Sequence, residues 1–364
     1  MTNKIFYYEQ LYNMWPELEQ FREKIYIITT DEIGNPLQVA TDIRQQIELG
    51  KTKFVFFGAA EALMDTFCIS LHKVADILKG EVNSTDLFYV AGGVRSAQAY
   101  DTLCKEHSWS NRITILSCNF WEKQVSIRYT SVPNYKIKVK TKKFLCFNRV
   151  SRLHRVELLE QMFKHNLVDS AYYSFDKTID FNYHVEDTEL LERFPNIHKH
   201  QHRLPLELNL YKDWENPATL TSADLKYYEN SYFSVVTETK FHYQDEAGHE
   251  EYLSRDMFIT EKVIKPIVSM HPFIVLAAPG YLKELRSMGY KTFHPHIDEI
   301  YDTTEDDQTR FNLIINEIKR LCSKTHKEWL QWQILVKEIV EFNNQVFYAR
   351  KDHRITIDVE KYFK

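Results

Sequence analysis

Glycine and proline are scarce in this chain, 9 and 10 among 364 residues, which excludes collagen-like repeats and argues against long flexible linkers or a turn-rich repeat architecture. Cysteine is scarcer: Cys68, Cys104, Cys118, Cys146 and Cys322 are odd in number and widely scattered. Neither disulfide-scaffold nor zinc-finger spacing is present, so they read as reduced, mostly buried thiols. No apolar run approaches the ~18 residues that mark a membrane-spanning helix. The opening MTNKIFYYEQLYNMWPELEQF carries charged and polar residues where a signal peptide keeps an apolar core, and a cytosol-like compartment is the expectation. An excess of positive charge is also missing. Lys and Arg total 46 against 51 Asp and Glu, a formal net charge of −5 with pI near 6.3. Without long-range attraction for polyanions, nucleic acid is not expected as a partner, although a local basic groove stays permitted.

What is present is an ordinary globular balance, 44% hydrophobic and 27% charged, long enough for two α/β-sized cores. In the first third, apolar runs alternate with helical patterns. KIYIITT (24–30), KFVFFGAAEAL (53–63), DLFYVAGG (86–93) and RITILSCN (112–119) read as buried strands of βαβ units. SVPNYKIKVKTKK (131–143) breaks the rhythm with one proline and five lysines and marks the expected domain boundary. The pattern then restarts with the strand KFLCF and a strong helix, followed by strands at 171–175, 232–239 and 272–278 and a short one in YKTF. Long helices are expected over 305–323 and 325–346. The predicted class is α/β with two Rossmann-like domains facing across a cleft. The boundaries are an N-terminal domain over 1–133, a C-terminal domain over 134–330, and a helix and tail over 331–364 that pack back on the N-terminal domain.

Two runs stand where such folds do chemistry. In FNRVSRLHR (147–155) a strand ends and a helix begins. Asn148 or Ser151 can cap that helix, whose free N–H groups suit a phosphate, and Arg149, Arg152 and Arg155 can hold phosphate oxygens. A solvated helix face is the plain alternative. In FITEKVIKPI (258–267), Thr260 can cap a helix that opens with Glu261 and Lys262. The carboxylate can take the two hydroxyls of a ribose and the ammonium can neutralise a diphosphate. Residues i and i+1 do not share a helix face, so one must approach from the helix end, and Pro266 should bend the helix. Glu238, at the end of SVVTETK (234–240), can bind sugar hydroxyls or face water. Tyr243 and Tyr252 could stack on a base.

The phrases YFSVVTET and FITEKVIKPIVSMHPFIVLAAPGYLKELRSMGYKTF together resemble the donor-binding half of GT-B glycosyltransferases, above all the fucosyltransferase-like group and related uncharacterised proteins of large DNA viruses and phages. The matching residues are the Glu261-Lys262 pair, with Arg149 or Arg152 as the basic residue after the domain's first strand. The resemblance covers about 143–320. It implies a nucleoside-diphosphate sugar as donor, a GDP-sugar slightly before a UDP-sugar, bound by Arg149, Ser151, Arg152, Glu238, Thr260, Glu261 and Lys262. No tightly bound cofactor and no metal are expected. The acceptor would be a glycan or other hydroxyl, attacked with inversion, and the location the host cytoplasm if the chain is viral. HPFIVLAAPG departs from the group's usual small-residue turn, and no acceptor-side motif aligns. An inverting reaction needs a general base. Glu61 and Asp65, four apart on the helix after FFGAA, and His72 are the candidates.

Metal chemistry was weighed in NIHKHQH (196–202) and FHPHIDE (293–299) and set aside, because neither run has a matched partner cluster. Two other readings stay beside the transferase: a non-catalytic nucleotide- or glycan-binding assembly protein, and a DNA-modifying glycosyltransferase using the lysine-rich segment on its acceptor side.

Overall fold

The structure is a computed structural model that describes residues 4–29, 32–60, 63, 65–129, 134–148, 152–175, 192–204, 206, 222–241, 256–350 and 359–364. The chain divides into two compact units. Unit 1 comprises Met1–Lys123, Gly248–Ile259 and Asp352–Lys364; unit 2 comprises Gln124–Ala247 and Thr260–Lys351. Each is an α/β unit on a four-stranded, fully parallel sheet. The expected class of two Rossmann-like α/β domains is therefore what the strands form.

In unit 1 the strands β1 (Ile25–Thr29), β2 (Lys53–Gly58), β3 (Leu87–Ala91) and β4 (Thr114–Ser117) lie side by side in sequence order. Right-handed crossovers without a reversal place every connecting helix on one face. Residues of α2 (Pro36–Glu48), α3 (Asp65–Ile77) and α4 (Ser96–Glu106) accordingly pack with Ile28, Phe54, Phe56, Leu87 and Tyr89. Period-two alternation sends Ile27, Val55, Phe57, Phe88 and Val90 to the opposite face. No crossover helix covers that face. It is closed by α1 (Lys4–Met14), the short turn Pro16–Phe21, Phe120 at the start of α5 (Phe120–Arg128), and the end of the chain, where Val359 and Phe363 are fully buried and α13 (Glu360–Phe363) lies. Phe363 stacks on Phe88 with ring centroids 4.5 Å apart.

Unit 1 also holds a carboxylate at the end of its sheet. Asp256 accepts hydrogen bonds from the N–H groups of Leu63 and Arg95, both at 2.9 Å, and from Ser96 Oγ at 2.5 Å. Arg95 is the residue before α4, so this carboxylate sits on the positive end of that helix, a position that favours an anion. Gly93 makes room for it: a Cβ there would come 1.8 Å from Asp256 Oδ2.

Unit 2 has a different order. β5 (Lys142–Phe147), β6 (Ala171–Ser174), β7 (Ser231–Thr237) and β8 (Phe273–Leu276) pair as β6-β5-β7-β8. The chain goes from β5 to one neighbour, then returns to the other side of β5, so a topological switch lies between β5 and β7. Open α/β sheets bind ligands outside the carboxyl ends of strands at such a point. The described helices are α6 (Leu153–Lys164), α7 (Pro195–His200), α8 (Ser222–Glu229), α9 (Glu261–Val268), α10 (Tyr281–Ser287), α11 (Asp307–Cys322) and α12 (His326–Ala349). The last has a full capping box from Thr325 and Glu328 and buries Trp329, which stacks on Tyr232 at 4.2 Å. α9 continues through Pro266, although proline's missing N–H removes one helical bond. The expected strand in YKTF is absent: Tyr290–Phe293 is irregular, with Phe293 N–H donating to the Glu299 carboxylate at 2.5 Å instead of to a strand. No described helix is long and apolar enough to cross a membrane.

Replacing Asp256 with alanine leaves two backbone N–H groups and a hydroxyl without their partner and should cost about 3 kcal/mol. Gly93→Ala should destabilise to a similar degree by evicting the same carboxylate. Urea unfolding of both variants checks this, and unchanged midpoints would show that the carboxylate carries no stability.

Candidate donor site at the switch of the second sheet

The end of unit 2's sheet is a connected polar layer. Asn148, just past β5, donates its backbone N–H to Ser174 Oγ at 3.0 Å, and that hydroxyl donates to Asn148 O at 3.1 Å. Thr237 Oγ1, the end of β7, donates to Asn148 Oδ1 at 2.5 Å. Arg155 reaches from α6 under the same strand end and donates to the carbonyls of Thr237 at 3.1 Å and Glu238 at 3.4 Å. His154 Nε2 lies 3.0 Å from the Glu238 carbonyl. Burial, with Arg152 next in effect, lowers the Arg155 guanidinium to about 10; it is still charged near neutrality and holds β5's following helix to the end of β7.

Glu238 is buried at 1% exposure, and its carboxylate is the junction of three elements. It accepts from Thr260 Oγ1 at 2.7 Å and from the Tyr281 hydroxyl at 2.6 Å. Burial and the adjoining carboxylate push the Tyr281 phenol well above its ordinary range, so it stays the donor. Thr260 caps α9, its Oγ1 accepting from Lys262 N–H and from Lys262 Nζ, both at 3.2 Å. Tyr281 is the first residue of α10 and follows Gly280, whose φ of 80° suits only glycine without strain. Gly280 has no side chain to cap α10, and Asp302 does so from a distance, accepting from Leu282 N–H at 2.7 Å and Lys283 N–H at 3.0 Å.

Glu261 opens α9 and is 7% exposed. Burial alone would raise its carboxyl, but the ammonium groups of Lys262 and Lys265 outweigh it and hold the group below the usual carboxylate range. Lys262 Nζ lies 3.2 Å from it. A pocket of about 370 Å³, open mouth included, runs along this side of α9 and is walled by Phe147, Tyr228, Thr237, Glu261, Lys262 and Pro266 among others. Both strands flanking the switch contribute to the wall, through Leu145 and Phe147 of β5 and Ser234–Thr237 of β7. A charged carboxylate, a part-exposed ammonium and aromatic walls together suit a ligand with paired hydroxyls, a phosphate and a flat ring.

The predicted residues distribute unevenly. Thr260, Glu261 and Lys262 come together with Glu238, although Glu238's oxygens are engaged by Thr260 and Tyr281. Arg152 is exposed and stands before α6 with no side-chain bond to the helix end. Arg149 and Ser151 lie outside the described residues, as do Glu61, Tyr243 and Tyr252. Asp65 begins α3 in unit 1. His72 is in the core of unit 1, 2.9 Å from the Tyr100 hydroxyl and stacked on Trp109 at 3.6 Å, and burial lowers it to about 4. Lys265 and Tyr281 were missed. Lys265 was legible as the i+4 neighbour of Glu261, whereas nothing local marks a tyrosine 20 residues further on. No group of three His, Cys, Asp or Glu suited to a metal ion occurs among the described residues.

No protein-family model matches the chain, and no curated protein matches it. Four solved chains show a weak likeness, and two of them illustrate it. One is a β-glucosyltransferase described as a DNA modifying enzyme, solved in the presence and absence of uridine diphosphoglucose; it shares 10% identity over 90% of this chain and 98% of its own, at a TM-score of 0.33. The other is a T4 phage BGT mutant in complex with UDP-glucose, with 11% identity over 83% of this chain and 73% of its own, also at 0.33. Likeness at this level carries no weight by itself; the two parallel sheets establish the class. One expectation is nevertheless withdrawn, on physical grounds. The first of these neighbours is described as a DNA modifying enzyme, whereas nucleic acid was excluded as a partner of this chain on overall charge alone, and that exclusion does not hold. A net charge of −5 is an average over the whole surface and describes no single groove.

Two outcomes are expected. Thr260→Val removes the α9 cap and one donor to Glu238 and should cost about 2 kcal/mol, read as a lower urea midpoint that Thr260→Ser restores. His72 binds its proton less readily folded than unfolded, so its contribution is full above pH 6.5, the ordinary value, and is lost as pH falls towards about 4. The stability gap between the native chain and His72→Gln should narrow across that interval; a constant gap would mean the imidazole does not titrate differently in the two states.

Proposed function

We propose that this chain is a nucleotide-sugar-dependent glycosyltransferase whose donor lies in unit 2, at the switch between β5 and β7. The observation that carries the reading is the buried, ionised Glu261 beside Lys262 at the head of α9, opening on a pocket to which both strands of the switch contribute. Glu261 accepts hydrogen bonds from the two ribose hydroxyls. Phe147 or Tyr228 lies along the base. Lys262, with Arg152 ahead of α6 and with Arg149 and Ser151, which precede it in the sequence, takes the diphosphate.

In the reaction an acceptor oxygen bonds to the anomeric carbon while the bond from that carbon to the diphosphate oxygen breaks. The acceptor's proton passes to a general base, and the leaving group departs with the electron pair. Cationic side chains aimed at the diphosphate stabilise the charge that develops there. Glu61 and Asp65 are the proposed bases; His72, neutral and packed between Tyr100 and Trp109, is the weakest of the three candidates. The acceptor carries a hydroxyl, and duplex DNA stands beside glycans among those to be tried. GDP and UDP esters are both open as donors.

A thermal-shift screen of nucleoside diphosphates and their sugar esters tests the reading, with GDP- and UDP-sugars expected to raise the melting temperature and the true donor to be hydrolysed slowly without acceptor. Lys262→Ala should weaken diphosphate binding about tenfold, the loss of one charge-assisted contact. Silence across the screen removes the reading. Binding with no turnover on any acceptor points to a non-catalytic nucleotide-binding protein.

A further inference from the structure

A second pocket in unit 2 lies at the other end of α9, against the lysine-rich segment before β5. It encloses about 430 Å³, open mouth included, and its wall includes Tyr135, Lys136, Lys138, Lys140, Ser269 and His271, with Glu229 as the carboxylate among its lining residues. The segment is not a basic face turned to solvent. Ile137 and Val139 are exposed, at 41% and 51%, as is Lys136, while Lys138 is half-buried and Lys140 is 9% exposed, all three lysines lining the pocket. Hydrogen bonds from distant side chains hold the segment in place. Gln333 of α12 accepts from Lys138 N–H at 3.3 Å and donates to Lys138 O at 3.0 Å, and Lys140 N–H donates to the Tyr232 hydroxyl at 3.0 Å.

The buried polar atoms left over in this pocket are donors, with the carboxylate of the exposed Glu229 at its wall. The Lys140 ammonium has three N–H groups and makes one hydrogen bond among the described residues, to Tyr228 O at 3.4 Å. The hydroxyls of Ser269, a residue 8% exposed, and Tyr135 are buried without a partner. The buried acceptors at the end of α9 are already taken. The last carbonyls of α9 are satisfied at Lys265 by Ser269 N–H, at Pro266 by His271 N–H, at Ile267 by Met270 N–H and at Val268 by Asn344 Nδ2. His271 is saturated too, its Nδ1 2.8 Å from Ser234 Oγ and its Nε2 2.8 Å from Ser231 O. Lysines that merely capped α9 would be bonded to those carbonyls.

We propose that this pocket binds a phosphate group, free or carried by a small molecule, with Lys140 as the buried cation that grips it and Ser269 and Tyr135 as neutral donors. A buried ammonium beside a second one is costly without an anion, and phosphate supplies both the opposite charge and several acceptor oxygens. Burial, then the neighbouring Lys138, lowers the Lys140 ammonium to about 7 against the opposing effect of Glu229. The site is separate from the donor pocket at the Glu261 end of α9, Tyr228 being a shared wall, and does not depend on the transferase reading.

Calorimetric titration of the full chain with inorganic phosphate, at ionic strength held constant with chloride, tests it. Saturable binding is expected that Lys140→Met weakens about tenfold, Ser269→Ala weakens by a smaller factor, and Lys105→Ala, at an exposed lysine of α4, leaves unchanged. Glycerol phosphate binding more tightly than inorganic phosphate would identify a phosphorylated small molecule as the natural occupant; equal or weaker binding would identify the free ion. The proposal falls if phosphate does not saturate, if Lys140→Met and Ser269→Ala both bind as the native chain does, or if Lys262→Ala alone abolishes binding. It also falls if a short DNA duplex, and not phosphate, is the ligand that Lys140→Met loses. Should Lys140→Met fail to fold, Ser269→Ala decides.

Discussion

A single buried carboxylate ties together the working end of unit 2. Glu238 ends β7, and the donors that satisfy it, Thr260 Oγ1 and the Tyr281 hydroxyl, begin α9 and α10. A carboxylate with 1% exposure is tolerable only when its oxygens accept hydrogen bonds, so the requirement to satisfy Glu238 determines where two helices start. The head of α9 then has one place to be, and with it Glu261 and Lys262. Arg155 fastens the same strand end from the other side through the carbonyls of Thr237 and Glu238. The candidate site is thus built on positions over-determined by a buried polar layer and not on a loop free to adjust.

Unit 1 treats the same architectural position differently. Its strands run in simple order, so there is no switch and no crevice between diverging crossovers. The positive end of α4, where a Rossmann-like unit could hold an anion, is filled by Asp256 from the chain itself. One parallel sheet has a charged pocket at this position, and the other closes it with an internal carboxylate. Helix ends, strand order and one glycine decide between the two.

Much of this was legible beforehand. The eight strands announce themselves as apolar runs because a parallel strand buried on both faces has no polar side to show. Thr260, Glu261 and Lys262 were readable as a cap and a charged first turn, since capping depends on neighbours within three residues. Distance defeated the rest. Tyr281 reaches Glu238 across 43 residues and Asp256 reaches Leu63 across 193, contacts that no local pattern encodes. YKTF misled because alternation favours a strand only if a partner strand exists, and Glu299 supplies the hydrogen bond instead. The lysine-rich segment is likewise decided at a distance: which of its side chains turn inward depends on Gln333 and Tyr232, far away in the chain.

Local chemistry alone therefore determined the class of the protein, two parallel α/β units with a charged helix head in the second, because burial, periodicity and capping act over a few residues. Tertiary structure decided which charges are used and which are consumed. It gave Glu238 to the scaffold and left Glu261 facing a pocket, put His72 in a core, and turned Lys140 inward. The physical reason is that a side chain's task is set by whether its polar atoms find partners within the fold, and those partners come from residues that only folding brings near.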